Sequence, residues 1–317
     1  MYDSLILFIG LVVLIKSADF LVAGASSVAA RFGISSLVIG LTIVSFGTSL
    51  PEMLVTMVSG LRNNADLAIA NVIGSNIANV LLVLGVAAIV RPLPVQDSTV
   101  VSEIPFSLTA ALLVGFLANA ALFSPIHELS ISRLDGAILL FFFVLFMLYV
   151  YKMSREQAAD TVEASAAEGT TRASIYIAAG IVGLYFGGGW VVDGAVGIAQ
   201  WLGVDDALIG LTVIAIGTSS PELVASAVAA YRNQSDIAVG NVVGSNIFNL
   251  LWVLGLTSSV VELPFEVISN TDLVMVIASS AMIILALAIS RNSTILRSHG
   301  IVFVTLYAAY LVYVLSR

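Results

Sequence analysis

Apolar residues gather in ten runs along this chain, each close to the ~20 residues an α-helix needs to cross ~30 Å of hydrocarbon. The runs cover 4–30, 35–60, 67–90, 104–123, 134–151, 173–202, 207–230, 236–258, 271–289 and 299–316. Short polar turns separate them, and the longest polar stretch, Lys152 to Arg172, splits the ten into two sets of five. The pattern predicts an all-α integral membrane protein of ten transmembrane helices. A first five-helix unit takes up 1–151, a solvated linker 152–172 and a second five-helix unit 173–317. The linker sets Glu156, Asp160, Glu163 and Glu168 among Ala, Ser and Thr, without calcium-loop spacing. A solvated connection with at most a short Ala-rich helix is expected there. The opening Met1-Tyr2-Asp3 lacks the basic residues of a cleavable signal, so the first run is expected to belong to the fold.

The two sets are copies. Gly47-Thr48-Ser49-Leu50-Pro51-Glu52 returns as Gly217-Thr218-Ser219-Ser220-Pro221-Glu222, and Gly74-Ser75-Asn76-Ile77-Ala78-Asn79 returns as Gly244-Ser245-Asn246-Ile247-Phe248-Asn249. The offset is 170 residues throughout, with no gap from Gly40/Gly210 to Gly85/Gly255, and about half of the aligned positions are identical. Five helices is an odd number, so the second copy must enter the membrane from the opposite side. Inverted-topology repeats, each with a Gly/Pro-interrupted helix, point to a binding site near the midplane between them. Loop charge sets the orientation. With the N-terminus outside, Arg31, Arg91, Lys152, Arg155, Arg172, Arg232, Arg291 and Arg297 are cytoplasmic, and only Arg62, Arg133 and Arg317 are external. The positive-inside rule then puts both termini outside and the linker in the cytoplasm of a multi-pass protein of the cell (inner) membrane.

Composition narrows the class. At 59% hydrophobic and 10% charged residues, with a mean hydropathy of +1.08, the chain is too apolar for a soluble protein of 317 residues. Its net charge of −8 lies largely in loops and indicates no nucleic-acid partner. The absence of Cys removes disulfides, thiolate metal sites and cysteine nucleophiles. His127 and His299 fall between apolar runs and argue against a His-based metal site. No HExxH, GxSxG or Cys–His pair supports an enzyme.

The chemistry sits in the repeated block. Pro51 and Pro221 have no amide hydrogen, so the carbonyls of Gly47 and Gly217 lose their helical partners. Each helix should break near mid-membrane, where freed carbonyls must meet ligand, water or protein. Glu52 and Glu222 follow each break, with Thr48, Ser49, Thr218 and Ser219 just before it. Asn71, Ser75 and Asn79 recur at four-residue spacing on one helix face, and Asn241, Ser245 and Asn249 repeat that stripe. The Asn and Ser residues could equally bond helices together, but Ser75, Asn79, Ser245 and Asn249 flank the Glu level. An ionised carboxylate inside a membrane is costly without a partner, and Lys16 alone cannot neutralise two. A cation, or alternately a proton, answers that need. The donor set is all oxygen, which suits hard cations; Ca²⁺ takes 6–8 oxygens at about 2.3–2.6 Å.

These paired GTSLPE…GSNIAN and GTSSPE…GSNIFN blocks resemble the α-repeats of the cation/calcium antiporter superfamily, in its sodium/calcium exchanger branch. The resemblance covers essentially the whole chain and is closest to compact prokaryotic members without a regulatory domain. It implies four ion sites in a diamond at the centre of two inverted five-helix repeats. Glu52 and Glu222 become the bridging carboxylates. Thr48, Ser49, Ser75, Thr218, Ser219 and Ser245 become ligands through hydroxyl or main chain, with Asn79 and Asn249 beside them. It also implies exchange of Ca²⁺ for Na⁺ by alternating access, with the ions as substrates and no cofactor. Both repeats lie in one chain, so a monomer in the bilayer suffices.

One departure changes the charge count. Some members carry Asp at one of the positions matching Asn79 and Asn249; this chain has Asn at both. Proton/calcium exchange is therefore the second reading, and a cation channel a third. Elsewhere, Lys16 and Asp19 are spaced to pair within the first helix, or Lys16 to snorkel; Asp193 is expected in a structural pair, with a gating or ion-entry role as the alternative; and Asp66 and Asp236 are expected to cap their helices.

Overall fold

The computed structural model describes residues 2–120, 129–160, 170–203, 215–265, 269–290 and 292–316. Expectations for His127, Glu163, Glu168, Arg291, Arg317 and the first half of the 207–230 run fall outside these residues. The architecture is helical. In chain order the helices are α1 (Tyr2–Phe32), α2 (Ser36–Thr48), α3 (Leu50–Leu61), α4 (Ala65–Val90), α5 (Asp97–Ala118) and α6 (Arg133–Asp160). After the linker come α7 (Thr170–Trp201), α8 (Ala215–Thr218), α9 (Ser220–Tyr231), α10 (Ser235–Val260), α11 (Ser269–Ile289) and α12 (Arg297–Ser316). Among the described residues, 8 helices are long and apolar enough to span a membrane, and 9 spans result if α2 and α3 form one bent span. Helix α6 continues through Lys152 to Asp160, into the stretch read as the linker.

Local chemistry explains the ends and breaks. Asp3 in the first turn of α1 and Arg31 in its last turn oppose the helix dipole with the favourable signs. Between α2 and α3 the chain bends by 49° at Ser49, one residue before the Leu50-Pro51 start of α3. Ser49 has φ −84° and ψ 6°, and Ser219 has φ −85° and ψ 6° at the corresponding break between α8 and α9. Proline at the second helical position fits this geometry, since its missing N–H would have no partner there. Among the described residues, three π-helical stretches were not legible in the sequence: Gly40–Val44 in α2, Asn79–Leu84 in α4 and Phe248–Val253 in α10. Such widened turns collect at functional sites.

Helices α4 and α10 run through the centre, and α10 is buried along nearly its whole length. α3 packs on α4 and α9 on α10, and each pair also reaches across to the other: α9 touches α4, and α3 touches α10. α1 lies along α7 in the most extensive helix contact among the described residues. That seam is close. A methyl added at Gly24 would come 2.8 Å from the Ala173 carbonyl oxygen, and one at Gly180 would come 2.7 Å from the Leu21 nitrogen. Gly10 faces Val191 in the same way, so α1 and α7 run antiparallel. Large exposed side chains such as Phe8, Ile15, Phe141 and Val302 form the outer surface, as a lipid-facing protein requires.

Four short strands, unforeseen from the sequence, tie the copies together. β1 (Leu93–Pro94) pairs antiparallel with β4 (Thr294–Ile295), and β2 (Ser130–Ile131) with β3 (Leu263–Pro264). β1 and β3 occupy the same place in the 170-residue repeat, so each copy contributes one strand to each pair.

Candidate functional site

The two breaks place Glu52 in the first turn of α3 and Glu222 in the first turn of α9. Both are completely buried. They lie near enough for each charge to act on the other. Neither Glu52 oxygen has a protein hydrogen-bond partner among the described residues, and the same holds for Glu222 Oε2. Glu222 Oε1 accepts from the Ser49 hydroxyl at 3.0 Å, a bond that joins one copy's break to the other copy's carboxylate. Thr48 reaches the same way, donating to Asn241 Oδ1 at 3.1 Å.

The stripe residues divide into two groups. Asn71 donates to the Glu52 carbonyl at 3.1 Å and to the Thr56 hydroxyl at 2.8 Å. Asn241 repeats this with the Glu222 carbonyl at 3.5 Å and the Ser226 hydroxyl at 2.9 Å. These two amides tie each carboxylate-bearing helix to its neighbour, the bland alternative for that pair. Asn79 and Asn249 do not: both amide atoms of each are buried without a protein partner, as are the hydroxyls of Ser219 and Ser245. A buried polar group left unpaired costs roughly 1–3 kcal/mol, so a cluster of them with two carboxylates signals a ligand or a strained reservoir. Asn79 and Asn249 also open the π-helical stretches, or lie one residue inside them, where α4 packs on α9 and α10 on α3.

Of the ten residues anticipated from the repeat, nine are buried or close to it, Ser75 at 4% exposure among them. Thr218 is only half-buried and lines a cavity of about 310 Å³ with Pro51, Pro221 and Asp193. No group of three His, Cys, Asp or Glu comes together among the described residues, so the centre holds two carboxylates and no third acid. Chemically it offers neutral and anionic oxygens to a hard cation.

Several expectations for single charges need correction. Asp19 pairs with Arg232, just past the end of α9, at 2.9 Å and not with Lys16, which is exposed. Arg's planar fork, brought beside α1 by the α1–α9 contact, outcompetes a Lys that can reach solvent. Asn64, not Asp66, caps α4, its side chain accepting from the Leu67 amide. Asp236 accepts from Gln96 at 2.6 Å instead of capping α10. Asp193 is exposed, lines the cavity and makes no ion pair among the described residues. A third fully buried carboxylate, Glu103 of α5, went unnoticed because it stands just ahead of an apolar run; Tyr149 donates to it at 2.5 Å.

A helical, multi-pass membrane protein with paired carboxylates and hydroxyls buried at its centre is, by class, a cation transporter. The profile of the sodium/calcium exchanger protein family matches residues 3–152 and 173–316. Inner membrane protein YrbG of Escherichia coli is 37% identical over 79% of this chain and 78% of its own length. Sodium/calcium exchanger MaX1 of Methanosarcina acetivorans is 32% identical over 98% of this chain and 97% of its own. The sodium-calcium exchanger NCX_Mj, in a structure soaked with 10 mM Na⁺ and zero Ca²⁺, superimposes with a TM-score of 0.82 at 31% identity, covering 98% of both chains. The chain belongs to the sodium/calcium exchanger family and has the compact form of its prokaryotic members.

Proposed function

We propose that this protein is a secondary active antiporter exchanging Ca²⁺ for Na⁺ across the cell membrane by alternating access. Glu52 and Glu222 bridge the ions. Thr48, Ser49, Ser75, Thr218, Ser219 and Ser245 complete the shell, and Asn79 and Asn249 stand beside it. The observation that carries this reading is the pair of fully buried carboxylates, one from each copy, with three of their four oxygens unpartnered by protein. A cation supplies the compensation that the protein itself does not.

Ten spans in two inverted repeats, 1–151 and 173–317, form the frame for that site, with a cytoplasmic connection at 152–172. The antiparallel α1–α7 seam and the 170-residue offset between β1 and β3, each paired with a strand of the other copy, support this arrangement. Proton-coupled exchange is the second reading, favoured by the charge count: two carboxylates can take up two protons as readily as one Ca²⁺ or two Na⁺.

The test is Ca²⁺ uptake into proteoliposomes with an outward gradient of Na⁺, K⁺ or H⁺ imposed in turn. Na⁺ should drive uptake, and Glu52→Gln or Glu222→Gln should abolish it. Robust uptake in both variants would remove these carboxylates from the ion shell, and uptake driven only by H⁺ would establish the second reading.

A further inference from the structure

Asp193 stands apart from the buried centre yet shares a cavity with it. It lies on α7, eight residues before the helix ends at Trp201, hence roughly 12 Å along the axis from that end. The cavity that holds it, about 310 Å³, reaches Thr218 and the prolines of both breaks, Pro51 and Pro221. Thr218 is the one residue of the ten-residue site that is not buried, so the cavity meets the site there. The wall is tight on that side: a methyl at Gly217 would collide with the side chain of Val192, the neighbour of Asp193. An ionisable side chain on a membrane helix is tolerable where it faces water, and Tyr185, Phe186 and Trp190 wall the cavity beside Asp193. Asp193 is exposed, and no hydrogen bond or ion pair to it is found among the described residues. The matching position in α1 is Ala23, so the charge exists in one copy only.

We propose that Asp193 is a cation-recruiting residue for the passage that opens on the face where α7 ends. A carboxylate in a narrow crevice with low-dielectric walls concentrates cations at its mouth. It raises capture of Na⁺ and Ca²⁺ from that face alone, because Ala23 offers no counterpart from the other. It is a recruiting group and not a ligand, so it acts on apparent affinity and leaves maximal exchange unchanged. This inference rests on the antiporter reading above, but it does not depend on which ion drives exchange.

The experiment compares wild type, Asp193→Asn and Asp193→Glu in proteoliposomes of defined orientation, with ⁴⁵Ca²⁺ supplied from either face at low ionic strength. One unit charge about 6 Å from a divalent cation in water is worth a factor of about ten in local concentration. Asp193→Asn should raise the half-saturating Ca²⁺ concentration about tenfold from the α7-end face, and not from the other. Maximal rate should hold, and Asp193→Glu should restore the wild-type value. Adding inert choline chloride to 0.5 M should erase the difference, since screening there acts within a few ångströms, shorter than the ~8 Å of physiological salt. Equal changes from both faces, a fall in maximal rate, or a difference that persists in high salt would each overturn the proposal. Wild-type vesicles that carry no Ca²⁺ against any ion gradient would instead defeat the antiporter reading, and ⁴⁵Ca²⁺ binding to right-side-out vesicles would then test Asp193 without transport.

Discussion

Asn79 and Asn249 carry the sharpest residue-level consequence. Their amides are buried and without protein partners, and neither position supplies a charge. With two carboxylates, one Ca²⁺ or two Na⁺ neutralise the centre, whereas a third Na⁺ would leave a net charge in a low-dielectric site. Wild-type exchange is therefore expected to be close to electroneutral. Asn249→Asp adds a negative charge and should steepen the dependence of Ca²⁺ flux on Na⁺. Flux measured against an imposed membrane potential decides the matter: a wild type that moves three Na⁺ for each Ca²⁺ would show that formal charge does not govern this centre. Asn71 and Asn241, in the same stripes, do different work. They hold the helices that carry Glu52 and Glu222 through the carbonyls of those same residues.

At the scale of elements, the seam between α1 and α7 depends on residues without a side chain. Because a methyl at Gly180 would meet Leu21 backbone at 2.7 Å, Gly180→Val forces α7 away from α1. Overpacking of this kind costs about 1–3 kcal/mol. Gly189, on the same helix, has nothing within 4 Å of such a methyl. Gly180→Val should lower the melting temperature in detergent, while Gly189→Ala should leave it near wild type. Matching losses in the two variants would mean that helix propensity, and not close approach, sets the role of glycine here. The broken helices follow a related logic, for the Pro that ends one hydrogen-bond ladder also positions a carboxylate at the start of the next.

For the whole molecule, sidedness is the open structural consequence. The chain has no Cys, so single cysteines report cleanly on it. Tyr2→Cys and Ser316→Cys should react with an impermeant maleimide on intact cells, and Arg155→Cys only after permeabilisation. The reverse pattern would turn the molecule over and place the Asp193 passage on the cytoplasmic face.

The spans, the repeat and the paired carboxylates were all legible in the sequence, because each is written in local terms. Hydropathy over about 20 residues marks a span, a 170-residue offset marks a copy, and proline marks its own missing hydrogen bond. What the sequence left open were questions of partnership across the chain. Asp19 could pair with a lysine one turn away, yet the folded chain brings Arg232 beside it from the end of another helix. The sequence set Asn79 and Asn249 apart from Asn71 and Asn241 only by their level beside the carboxylates. Packing shows what each pair does: Asn71 and Asn241 bond the carboxylate helices, and the amides of the other two have no protein partner among the described residues. The strand pairs, the π-helical turns and the cavity that joins Asp193 to Thr218 likewise arise from the approach of distant segments. Tertiary structure decided these because a polar group inside a membrane protein must take its partner from whatever the fold places within bonding distance, and sequence neighbours are only some of the candidates.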